Sequence, residues 1–84
     1  MSALETLMAA RDAAYRAMVA ADDAWFDAII RTYGEKNAST FRYTSKGVAT
    51  SELESLHSIY RNARDHYIAS QDAYLKGKDW GQFA

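Results

Sequence analysis

The side chains best placed to do chemistry are two histidines, His57 and His66, and several acids close to one another in sequence. Two histidines bind one metal from a helix when they share a face, one turn apart. His57 and His66 are nine residues apart and fall on different faces. Asp65 and His66 are adjacent, and adjacent residues point apart on a helix. Glu52 with Glu54, and Asp22 with Asp23, fail to converge for the same reason. No serine has the strand–turn–helix setting of a nucleophile elbow. No glycine-rich loop is present to cradle a phosphate. The chain has no cysteine, so it forms no disulfide and no thiolate metal site. These residues point to no enzyme, no cofactor and no metal.

What remains is chemistry of contact. Six Tyr, three Phe and two Trp among 84 residues are a large aromatic share. Tyr and Trp suit surfaces that are apolar at one end and wet at the other. A compact core with its hydroxyl tips in water explains the same count. Trp80 and Phe83 lie in the terminal KGKDWGQFA, which has no periodicity. Rigid rings on such a tail bring much contact area at little entropic cost, which makes them candidate partner-binding residues. Folding back onto their own helices is the alternative. Phe41 and Tyr43 are a second candidate pair. Lys36, Arg42 and Lys46 stand near them against Glu35 alone. They read as solvated cations, or as a basic tip that meets phosphate or an acidic partner.

These residues need elements to hold them. The chain has no Pro and four Gly, all outside two long runs of helical spacing. The first run opens with Ser2-Ala3-Leu4-Glu5, a capping-box pattern. Leu4, Leu7, Met8, Tyr15, Met18, Val19, Trp25, Phe26, Ile29, Ile30 and Tyr33 then follow in steps of three, four and seven. Gly34 stands at the C-terminal cap. Unbroken, residues 2–33 span about 48 Å. Asp22-Asp23 is a place for a kink, and the β-branched stretch to Tyr33 competes as a strand. The Trp25/Ile29 and Phe26/Ile30/Tyr33 steps favour helix.

The second run opens with Ser51-Glu52-Leu53-Glu54, again S-x-x-E. Leu53, Leu56, Tyr60, Ala63, Tyr67, Ser70 and Tyr74 form a heptad seam, widened on its flanks by Ile59, Ile68 and Leu75. Gly77 is the expected stop. Between the runs, Thr40-Phe41-Arg42-Tyr43-Thr44 alternates like a strand, Ser45-Lys46-Gly47 signals a turn, and Val48-Ala49-Thr50 reads as a returning strand. A small hairpin with Phe41 and Tyr43 on one face is one reading. An irregular loop with an aromatic plug is the other.

The expected fold class is mainly α. Two long antiparallel helices are joined by a short connector, residues 35–50, holding a small β-hairpin. Residues 1–77 form this domain and residues 78–84 a flexible aromatic tail. Two helices alone leave much of each stripe bare, so self-association is expected. Trp25, Phe26, Tyr60, Tyr67 and Tyr74 are its candidate residues. A net charge of −1 argues against bulk attraction to nucleic acid or an anionic membrane. No apolar run approaches the roughly 20 residues of a membrane span. The opening MSALETLMAARDAAY lacks a basic start and a cleavage site, so it is not read as a secretory signal.

Three stretches resemble the phage lambda W-type head-to-tail joining proteins. Leu7-Met8-Ala9-Ala10-Arg11-Asp12-Ala13-Ala14 is similar to that family's Ala/Arg-rich first helix. Arg42-Tyr43-Thr44 is similar to the aromatic-Thr end of its hairpin. Ser51-Glu52-Leu53-Glu54-Ser55-Leu56 followed by Ile59 is similar to the start of its second helix. The first helix here is longer than the family's, and the first hairpin strand is hard to trace. The resemblance implies a virion structural protein made in the host cytoplasm and placed at the head–tail junction. Its copies would form a homo-oligomeric ring, twelvefold in the family, beneath the portal protein. That ring would complete the filled head and receive a tail component. Lys36, Arg42 and Lys46 would then face packaged DNA in the channel.

A rival reading is a cytosolic adaptor or regulator, a four-helix dimer of Rop-like outline with the tyrosine seam as its core. A WXG-type secreted hairpin lacks its hallmark here, since no Trp-x-Gly lies between the helices.

Overall fold

The computed structural model describes residues 2–83, with side chains described through residue 78. Helix α1 runs Ala3–Tyr33, α2 runs Glu35–Phe41, a 3-10 turn covers Ser45–Val48, and α3 runs Ser51–Phe83. The rod they form measures 53 × 21 × 20 Å. The two long helices lie antiparallel, with α2 and the 3-10 turn folded against them at one end.

Local chemistry sets the ends of α1. The Ser2 hydroxyl accepts from the Glu5 N–H at 3.1 Å, which satisfies an orphan donor of the first turn. Gly34 ends the helix at φ 91° and ψ 153°, and its N–H still donates to the Ile30 carbonyl at 2.8 Å. That backbone is open almost only to glycine. α1 passes through Asp22-Asp23 without a break. Asp22 is held there by an ion pair with Arg42. The cap of α3 falls one residue before the expected serine: the Thr50 hydroxyl accepts from the Leu53 N–H at 3.1 Å.

All seven seam residues of α3, from Leu53 to Tyr74, are buried or half-buried. The tightest packing lies near the connector, where Trp25, Ala28, Ile29, Ala38 and Leu53 form the core. Phe26, Ile30, Tyr33, Phe41, Leu56 and Tyr60 close around it. Farther along the rod the Tyr15 ring meets the Tyr67 ring at 5.4 Å, and the Arg11 guanidinium lies over the Tyr74 ring at 4.2 Å.

The connector corrects the expected fold class. The described residues contain no strand and therefore no hairpin. Thr40 and Phe41 instead close α2, and Ser45–Val48 coil into the 3-10 turn. The reason lies in unpaired edges. A lone two-stranded hairpin leaves half its backbone groups without partners and is marginal in water. A two-turn helix bonds its own backbone. It also places Ala38 and Phe41, three residues apart, on one face. Ala38 is fully buried there, and the Phe41 ring meets Tyr33 edge-on at 5.0 Å.

Gly77 does not end α3, which continues to Phe83. A methyl group on Gly77 would fall 2.6 Å from Leu7 Cδ1, so this glycine gives Leu7 room where the helices approach. The expected flexible aromatic tail is thus helical in backbone to Phe83. The side chains of Trp80 and Phe83 lie outside the described residues.

Candidate interaction surface

The rod has two long sides, and its two helices meet them differently. On one side Arg31 of α1 reaches Glu52 of α3 at 3.1 Å. Ile59, one heptad after Glu52, lies along that side and is 57% exposed. The other side carries the connector. There Trp25 Nε1 donates to the Gly47 carbonyl at 2.9 Å, and the Tyr33 hydroxyl donates to the Lys46 carbonyl at 2.8 Å. The Trp25 ring also packs on His57 at 4.6 Å and stacks on Tyr60 at 5.8 Å.

Rows of residues run along this second side. On α1 the row is Leu4, Met8, Tyr15, Val19, Phe26, Ile30 and Tyr33, in steps of three, four and seven. On α3 it includes His57, Arg64, Ile68 and Leu75, in steps of seven, four and seven. The connector covers only the near half: Phe26, Ile30 and Tyr33 are half-buried under it or against the core beside it. The far half is bare. Leu4, Met8, Tyr15, Val19, Ile68 and Leu75 are each 37–56% exposed. Known contacts fix which levels coincide: Leu7 lies by Gly77, Arg11 by Tyr74, and Tyr15 by Tyr67. Met8 is therefore level with Leu75, and Tyr15 with Ile68. The six residues share one face, with the Arg11–Asp12 ion pair between Met8 and Tyr15.

The sequence-derived candidates are distributed otherwise. Trp25 is only 4% exposed, and Phe26, Tyr60, Tyr67 and Tyr74 are half-buried between the helices or beside the connector. These residues hold the hairpin of helices together. Phe41 is half-buried, whereas Tyr43 is 82% exposed. The strand expectation placed Phe41 and Tyr43 on one face; the helical turn separates them.

Nor do the three connector cations form one patch. Arg42 is paired with Asp22 and lies over the rings of Trp25, Phe26 and Tyr43 at 5.0–5.4 Å. Its charge is neutralised and its side chain is largely covered. Lys46 lies over Phe41 at 4.2 Å, and Lys36 is exposed. Partial burial under Trp25, followed by the charges of Arg61 and Arg64, holds the His57 imidazolium below its ordinary value of 6.5.

Among the described residues no group of three His, Asp or Glu is placed to hold a metal ion. No helix there is long and apolar enough to cross a membrane. The chain matches no family model, no curated protein and no solved structure.

The six residues of the bare face were visible in the sequence only as members of broad stripes. The available signal was the excess width of those stripes, with Ile68 and Leu75 outside the seam.

Proposed function

We propose that this protein is an interaction module, a helical rod that works by docking its bare apolar face onto another protein chain. One observation carries the reading: the connector covers half of one long side, and the apolar rows continue uncovered beyond it. Exposed apolar side chains gathered on one face of a small chain mark a site of association. Rigid helices suit the task, because little ordering entropy is lost when they dock.

The head-to-tail joining reading also calls for assembly. Its support is the three quoted stretches, and the hairpin that the resemblance implies is replaced here by α2 and a 3-10 turn. The docking reading needs only the face itself.

The test is a Met8→Lys, Ile68→Lys variant of the full chain. It should keep its circular dichroism and its urea midpoint, since both positions are exposed. It should lose the higher-mass species that the unaltered chain forms, read by sedimentation and by cross-linking in the producing cells. An unaltered chain that is single and uncomplexed in both settings overturns the proposal.

A further inference from the structure

The bare face has an internal symmetry that names its partner. On α1, Leu4 and Val19 are equidistant from the point between Arg11 and Asp12, and so are Met8 and Tyr15. On α3, Ile68 and Leu75 are equidistant from the point between Gln71 and Asp72. Leu7 beside Gly77, Arg11 beside Tyr74 and Tyr15 beside Tyr67 bring those two midpoints to one level of the rod. One line across the face, perpendicular to both helices, therefore passes through both centres.

Such a line is what an isologous interface requires. In a two-fold dimer, residue i meets residue j and j meets i. We infer that the bare face docks a second copy of this chain, antiparallel, about that line. This rests on the docking reading above and names its partner. Leu4 then meets the partner's Val19, Met8 meets the partner's Tyr15, and Ile68 meets the partner's Leu75. Each contact pairs apolar with apolar and occurs twice.

Two further observations fit. The Arg11–Asp12 ion pair, 3.0 Å long, sits at the centre, so the two copies present each other with neutral pairs. The connector supplies the second. It thickens the near half of this side, so copies stacked with their connectors together would be held apart at that end. The antiparallel arrangement sets each connector beyond the end of the facing rod.

Size sets the class of interface. From Leu4 to Val19 the face is about 22 Å long, and the rod is 20–21 Å wide. That footprint, roughly 450 Å² per copy, falls below the standard interface size, so the dimer belongs to the weak class, with a Kd of roughly 10–100 μM.

The chain has no cysteine, so introduced thiols report cleanly. Leu4 and Val19 are 39% and 37% exposed, which lets cysteine replace them without loss of core. In a Leu4→Cys, Val19→Cys double variant the two thiols of one chain are about 22 Å apart on one helix. They cannot bridge within the chain, since a disulfide needs Cα atoms within about 7 Å. Mild oxidation should convert the double variant to a covalent dimer with an unchanged helical spectrum. Each single variant should remain uncross-linked, because its thiol and its copy are equally far apart. The unaltered chain should sediment as one copy near ~1 μM and as two near ~1 mM. Single variants that cross-link as readily as the double, or a chain of single-copy mass at ~1 mM, overturn the self-dimer. If Met8→Lys, Ile68→Lys still releases a different protein in that case, the docking reading stands with another partner. If it releases nothing, both fall.

Discussion

Trp25 and Gly47 meet across 22 residues of chain: the indole N–H donates to the Gly47 carbonyl at 2.9 Å, inside the core. This bond ties the 3-10 turn to α1 and holds the connector over one side of the rod. It also explains why Trp25, a natural anchor for a partner, is occupied within its own chain.

Trp25→Phe keeps most of the apolar ring and removes the donor. It leaves the buried Gly47 carbonyl without its partner, at a cost of about 1–3 kcal/mol. The urea midpoint should fall accordingly. The connector should also exchange its amide hydrogens faster, while the far ends of α1 and α3 change little. Equal loosening along the whole rod would show that the bond does not anchor the connector.

Arg42 and Asp22 form a partly buried pair beneath aromatic rings. A double-mutant cycle with Asp22→Ala and Arg42→Ala should give a coupling of about 0.5–3 kcal/mol. Arg42→Ala should cost stability yet leave any affinity for a polyanion nearly unchanged, because this charge is already neutralised. A large drop in polyanion affinity without loss of stability would return Arg42 to the role of an anion-facing cation.

Stability should depend on pH through His57. Its folded value lies below 6.5, so in the window between the two values the unfolded chain binds more protons than the folded one. Stability is therefore full above about 6.5, falls as pH drops through the folded value, and levels off below it. His57→Gln should flatten that part of the profile. A His57→Gln profile with the same slope would assign the titration to another group.

Gly34→Ala should destabilise the chain by about 1–3 kcal/mol, because alanine resists the glycine-only backbone found there. Nothing lies within 4 Å of the added methyl, so the cost is conformational and not steric. Gly77→Ala should behave in the opposite way. It removes an interior helix glycine, a gain of up to about 1 kcal/mol, against a shift of the flexible Leu7 tip. Thermal unfolding of the two variants should move in opposite directions.

Much of the frame was legible in the residues. Ser2 capping Glu5, Gly34 closing α1 and the seven-residue seam from Leu53 to Tyr74 all follow from local rules. Their signals lie within one helix or at its end, where spacing and side-chain reach suffice. The connector departs from its local propensity for the complementary reason. Thr40 to Thr44 has strand-forming residues, but a strand needs a neighbour to bond, and none is supplied. Burial of Ala38 against the core outweighed that propensity. Gly77 resembles a stop by local rules, but its neighbour in space is Leu7, 70 residues away in sequence.

By itself the sequence determined that two long amphipathic helices form, where the first begins and ends, and which residues of the second face inward. Those outcomes depend on the period of the helix and on caps, both local. Only the tertiary structure decided which side of the helix pair the connector covers and how far that cover reaches. Helix period cannot distinguish the two flanks of a seam; a bond such as Trp25 to Gly47 can, because it fixes one flank under the connector. Leu4, Met8, Tyr15, Val19, Ile68 and Leu75 are exposed for that reason alone: they belong to the covered side and lie beyond the end of its cover.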